Sequence, residues 1–119
     1  MSDLTNLYLA LGYCIFMLIL GLILQKFPPK KINHIYGYRT NRSMQNENTW
    51  NTANQYSSRL MVRMSLLSLI FPPLLYFIYP EYNFMITIVV NTLLIVSILW
   101  FTENHLKSKF DTQGNRIES

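Results

Sequence analysis

Charge is scarce in this sequence. Only 13% of its 119 residues are Asp, Glu, Lys or Arg, about half the share found in an average soluble domain. The scarcity is also uneven, because no such residue occurs between Asp3 and Lys26, between Arg63 and Glu81, or between Glu81 and Glu103. A soluble core is therefore not the destination of the 50% hydrophobic content. Cysteine is almost missing: the single Cys14 excludes an intramolecular disulfide and a structural zinc site, and reads as a small packing residue. The two histidines, His34 and His105, stand alone, and no His-Glu-x-x-His, paired-carboxylate or nucleophile-elbow pattern occurs. The sequence thus offers no catalytic residue, no metal ligand set and no cofactor site.

What is present is length without charge. Leu4 to Gln25 is 22 residues, which at the helical rise spans about 33 Å, enough for a hydrocarbon core of about 30 Å. Tyr82 to Thr102 is 21 residues and reads the same way, with Tyr82 and Trp100 as interfacial anchors. Between them, Met64 to Pro80 spans if it is extended back to Leu60, with Arg59 and Arg63 snorkelling toward headgroups. The expected fold is an all-α membrane protein with three transmembrane helices, at about 4–25, 60–79 and 82–102. A loop at 26–59 and a tail at 103–119 complete a single membrane domain. The first segment is read as a retained anchor, because Met-Ser-Asp is not a basic leader, the apolar stretch is of full membrane length and no small-residue cleavage site follows.

Seven Lys and Arg lie from Lys26 to Arg63 and three lie after Thr102, whereas the N-terminal stub and the Pro80-Glu81-Tyr82 turn carry none. With three spans the basic loop and the tail share a side, so the N-terminus is expected outside and the C-terminus in the cytoplasm. The net charge of +4 is explained by this rule and by anionic headgroups, so the lipid bilayer is the expected partner and direct nucleic acid binding is not.

Polar residues inside the spans are few. Asn91 and Thr87 share a face near mid-membrane, and Asn91 is expected to hydrogen-bond a neighbouring helix. Pro72-Pro73 should kink the second span by freeing the carbonyls of Ser68 and Leu69, with Ser65 and Ser68 available to re-satisfy backbone groups. In the first span Ala10 and Cys14 lie four apart, and its glycines are read as ordinary membrane-helix composition. No ionisable residue sits centrally in any span, which argues against a pump or transporter.

The loop is the distinctive part. Pro28-Pro29 ends the first helix, and Gly37, between Tyr36 and Tyr38, suits a turn with positive φ that sets both rings at the membrane surface. Arg39 and Arg42 then face phosphate or carboxylate, and Ser43 or Asn46 can cap a helix with Glu47 in its first turn. Trp50, Ala53, Asn54, Ser57, Leu60, Met61 and Met64 recur at helical spacing, which predicts an amphipathic surface helix leading into the second span. Arg59 and Arg63 lie on another face, set for headgroups or a partner. Physics alone favours a membrane-surface plug, with Trp50 as an aromatic-belt anchor, over a dedicated recognition site.

The spelling of this loop, Ile32 to Asn54, "INHIYGYRTNRSMQNENTWNTAN", resembles the signature of the SdpI family, named for a membrane immunity protein that protects sporulating bacilli from their own secreted toxin. The matching residues are Pro28, Pro29, Asn33, Gly37, Tyr38, Arg39, Thr40, Ser43, Thr49, Trp50, Ala53 and Asn54. The chain departs from the pattern at "QYSSRLM", where a glycine-containing stretch is expected, and in lacking further spans ahead of this region. The resemblance implies a non-enzymatic protein of the bacterial cytoplasmic membrane with a role in immunity to a peptide toxin. An adaptor holding a cytoplasmic regulator such as a repressor, or a small structural subunit of a membrane complex, stands beside it, and a homo-oligomer is left open.

Overall fold

A computed structural model describes residues 2–117. Every regular element among them is helical: α1 (Asp3–Lys26), α2 (Glu47–Ser68), α3 (Phe71–Ile78), a 3-10 turn (Pro80–Tyr82) and α4 (Asn83–Lys109). Three stretches, Asp3–Lys26, Glu47–Ile78 and Pro80–Lys109, are long and apolar enough to cross a bilayer, so the chain is a multi-pass membrane protein. The molecule is 53 Å long, well beyond a hydrocarbon core of about 30 Å. The excess lies where α2 and α4 run on past the spans, because α2 begins at Glu47 and α4 continues to Lys109.

The helices begin and end where their residues dictate. Ser2 caps α1 by accepting from the Thr5 amide, and Pro28-Pro29 follows its last turn. Asn46, and not Ser43, caps α2 in a reciprocal capping box with Thr49, each side chain satisfying the other's backbone N–H. The predicted surface helix and second span are one continuous helix as far as Ser68.

The break in the second span falls one turn before the prolines. There the amides of Leu69 and Ile70 turn to carbonyls three residues back, Leu66 and Leu67. This tightening leaves the Ser65 carbonyl free, and the Ser68 hydroxyl donates to it at 2.8 Å. Pro72 has no N–H for the Ser68 carbonyl, which instead receives the Cys14 thiol from α1 at 3.8 Å.

The interior reverses the usual order of soluble proteins. Large apolar side chains such as Phe16, Phe77, Leu93, Val96 and Trp100 point outward, while Asn6, Cys14, Ser65, Ser68, Thr87 and Asn91 are buried. In a membrane, apolar side chains gain nothing by leaving lipid, so small and polar residues make the helix contacts. Asn91 donates to the Thr87 carbonyl of its own helix at 2.8 Å and reaches across to the Cys14 sulfur at 3.6 Å. Cys14 therefore joins α4 to α2 through one sulfur, a fuller role than packing. Nearer the N-terminal end, the Asn6 carbonyl oxygen accepts the Phe84 amide at 3.2 Å, and Asn83 donates to the Pro72 carbonyl at 2.9 Å. The α1 glycines divide: a Cβ on Gly12 would meet nothing within 4 Å, whereas one on Gly21 would lie 3.1 Å from the Val62 side chain. Composition accounts for Gly12, and close approach of α2 accounts for Gly21.

Candidate functional site

The loop between α1 and α2 is closed into a block by its own polar side chains. Asn33 accepts the amides of Ile35 at 3.0 Å and Tyr36 at 2.6 Å, a side-chain-made turn. Gly37 follows with φ +106°, so the positive-φ turn is present. This backbone brings the Tyr38 amide to the Asn54 carbonyl oxygen at 2.6 Å, and the Asn54 amide group donates in turn to Trp50 O at 2.9 Å and Tyr38 O at 3.4 Å. Ser43, fully buried, accepts the Thr40 amide at 2.8 Å, while its carbonyl takes the Thr49 hydroxyl at 3.0 Å.

Trp50 is not an aromatic-belt residue. Its side chain is 0% exposed and its indole N–H donates to the Pro29 carbonyl at 2.7 Å, bolting the end of α1 to the start of α2. A belt residue would keep its ring at the lipid interface; this one finds a buried acceptor, as buried indoles do. Tyr38 also leaves the expected surface arrangement, whereas Tyr36 stays exposed. Tyr36 donates to the Phe27 carbonyl at 2.6 Å, and the Tyr38 ring packs against the buried trio Ala53, Leu106 and Phe110.

The Arg39 guanidinium donates to the His34 carbonyl and so braces the loop, with the side chain exposed. Arg42 is half-buried, and Arg59 and Arg63 are exposed on α2. Asn91 lies in the bundle, remote in sequence from the loop, and contributes to helix contact only.

Sequence reasoning missed the other half of the site, which comes from α4 and the tail. Glu103 accepts the Tyr38 hydroxyl at 2.8 Å and the Thr40 hydroxyl at 3.1 Å. Beyond α4 the tail folds back: Phe110 bridges to Arg116 around a turn in which Asp111 accepts the amides of Gln113 and Asn115, each at 2.9 Å. Asn46 and Gln45 then donate to the Gly114 and Thr112 carbonyls, both at 2.7 Å. Asp-Thr-Gln-Gly is a recognisable turn spelling, and a phenylalanine directly before it was the available sign that the tail is anchored. The last two residues assigned to the tail, Glu118 and Ser119, lie outside the described residues.

Beneath Gly37 and Tyr38 lies a half-open cavity of about 190 Å³, walled by Met17 and Leu24 of α1, Met61 of α2, and Ile95 and Ile98 of α4. Among the described residues no group of three His, Cys, Asp or Glu gathers that could hold a metal ion. The arrangement is a hydrogen-bonded polar lid over a largely apolar hollow.

Residues 30–101, more than half of the chain, match the SdpI/YfhL protein family. The chain belongs to the SdpI/YfhL family. A Bacillus subtilis (strain 168) relative, the uncharacterized protein YfhL, is 52% identical over 50 residues. That stretch is 42% of this chain and 46% of the relative, so the similarity spans about half the length of each. No solved structure matches the chain. Within this SdpI/YfhL member Pro29, Ser43, Thr49, Trp50, Ala53 and Asn54 of the signature are buried in the lid, while Pro28 and Arg39 stay exposed.

Burial, together with the hydrogen bond to Glu103 and its negative charge, pushes the Tyr38 phenol well above its usual range, so it stays a donor throughout the physiological range. The sign follows: with a raised folded value, its contribution is complete below the ordinary tyrosine value of about 10 and declines as pH rises beyond it. Tyr38→Phe is expected to cost about 1.5–3 kcal/mol, the range for a hydrogen bond to a charged acceptor, and to flatten the alkaline loss of stability. Thermal unfolding in mild detergent between pH 7 and pH 11 measures both effects, and identical profiles for the two proteins would rule out the Tyr38–Glu103 bond as a stabiliser.

Proposed function

We propose that this chain is a non-enzymatic immunity protein of the bacterial cytoplasmic membrane, protecting its cell against a membrane-active peptide toxin. The observation that carries the reading is that the signature residues of an SdpI/YfhL chain are spent on holding one rigid lid over an apolar cavity at the end of a three-helix bundle. A fixed hollow at membrane depth suits an apolar peptide side chain better than it suits turnover chemistry. The distribution of Lys and Arg supports an N-terminus outside, with the lid and tail in the cytoplasm. Expression in a toxin-sensitive strain, followed by challenge with a panel of membrane-active peptides, should raise survival for the wild-type chain, and a Gly37→Ala variant made in equal amount should lose that gain. Unchanged survival across the panel would sink the proposal.

A second reading has its own observation. Ile35 is 89% exposed, at the tip of the same loop as the exposed Arg39, an arrangement suited to a soluble partner such as a transcriptional regulator. Recovery of a regulator by the wild-type chain, and its loss with Ile35→Ser or Arg39→Ala, would favour the adaptor over the shield.

A further inference from the structure

One charged feature is left unused by the lid. Contacts between Pro72 and Asn83 and between Tyr56 and His105 show that the stretch Glu47–Ile78, which holds α2 and α3, runs antiparallel to α4. On the seam between them the Tyr56 and His105 rings stack with centroids 4.1 Å apart and planes within 5°. Arg59 is one turn along α2 from Tyr56, and Lys109 is one turn along α4 from His105. Because the helices run in opposite directions, one cation lies on the membrane side of the stack and the other on its far side.

We propose that Tyr56, Arg59, His105 and Lys109 form a binding site for a phosphate group, supplied by the headgroup of an anionic phospholipid. Lys109 and Arg59 both bear on the imidazole, and both are positive. Among the described residues, the neighbouring carboxylates are both engaged elsewhere. Glu103, half a turn away, is committed to Tyr38 and Thr40, and Asp111 is committed to the amides of its own turn. Lys109 could be explained by the helix dipole, since it lies in the last turn of α4. Arg59 cannot, because it lies in the middle of α2. The stack begins about one turn beyond Thr102, the end of the third apolar stretch, which is where lipid phosphates reside. A phosphate there would accept from both cations and from an imidazole N–H, and would replace repulsion by charge-assisted hydrogen bonds.

Histidine NMR in nanodiscs tests the site on the full chain without a variant. His34, in the exposed loop, reports the general surface potential and is assigned with His34→Gln. On changing from zwitterionic to phosphatidylglycerol discs, the His105 midpoint should rise by about one pH unit more than that of His34, the direction produced by a bound anion. In an Arg59→Gln/Lys109→Gln variant that keeps the ring-current shifts of the Tyr56–His105 stack, the excess should vanish. Inorganic phosphate added to zwitterionic discs forms the second arm: a rise there equal to the lipid effect would assign the site to free phosphate and overturn the lipid source. Equal movement of His34 and His105 in every arm would overturn the site itself.

Discussion

Replacing Trp50 with alanine is expected to destabilise the protein by about 3–5 kcal/mol, the range for deleting a buried large aromatic. The ring is fully buried and ties two chain segments together: the Pro29 carbonyl lies just past the end of α1, and Trp50 lies in the first turn of α2. Trp50→Phe separates the two contributions. It keeps most of the apolar volume but strands the Pro29 carbonyl, a cost of about 1–3 kcal/mol. Hydrogen exchange read by mass spectrometry is the direct measurement, because the loss should appear first as faster exchange of the Tyr38 and Met44 amides. The spans themselves should remain inserted, since their apolar length is untouched. If Trp50→Ala exchanged like wild type across residues 30–54, the indole would not be the bolt described above.

The second large effect is expected at Gly37. An L-residue in left-handed backbone costs roughly 1–2 kcal/mol, and Gly37 sits at φ +106°. A Cβ there would also lie 2.6 Å from the Asn54 carbonyl oxygen and 2.6 Å from the Pro29 ring. Relieving that overlap pushes Asn54 off the Tyr38 amide, which leaves a part-buried donor unpaired for about another 1–3 kcal/mol. Gly37→Ala should therefore lose roughly 2–5 kcal/mol in all. Gly12→Ala, where a Cβ meets nothing, should be neutral or slightly stabilising because alanine suits a helix better. A double-mutant cycle with Asn54→Ala checks the mechanism: if the two losses simply add, the glycine does not act through Asn54.

Much of the architecture was legible because it rests on one physical demand. A helix must be apolar for about 20 residues to cross a bilayer, and the gaps between Asp3, Lys26, Arg63, Glu81 and Glu103 mark those stretches without reference to any partner. Gly37 was legible because a left-handed turn has few other spellings. Trp50 was not: a tryptophan at the end of a span is written the same way whether it faces lipid or is buried, and only the position of the Pro29 carbonyl decides. Glu103 was hidden for a related reason. Its partners Tyr38 and Thr40 lie 65 and 63 residues away, and no local periodicity carries information over that separation. The second-span interruption was legible too, because a proline leaves the carbonyl four residues earlier without its partner, and the helix breaks at Leu69–Ile70.

One helix links the two ends of this molecule. Asn91 meets Cys14 at the centre of the bundle, and Glu103, twelve residues further along the unbroken α4, receives the hydroxyls of Tyr38 and Thr40. Those positions are about 18 Å apart along the axis. An α-helix of this length behaves as a stiff rod, so a tilt or slide imposed on α4 within the bilayer displaces the acceptor of the lid by a comparable distance. Asn91, packed among small polar side chains, and Glu103, which holds the loop, are therefore fixed at one spacing by a single helix.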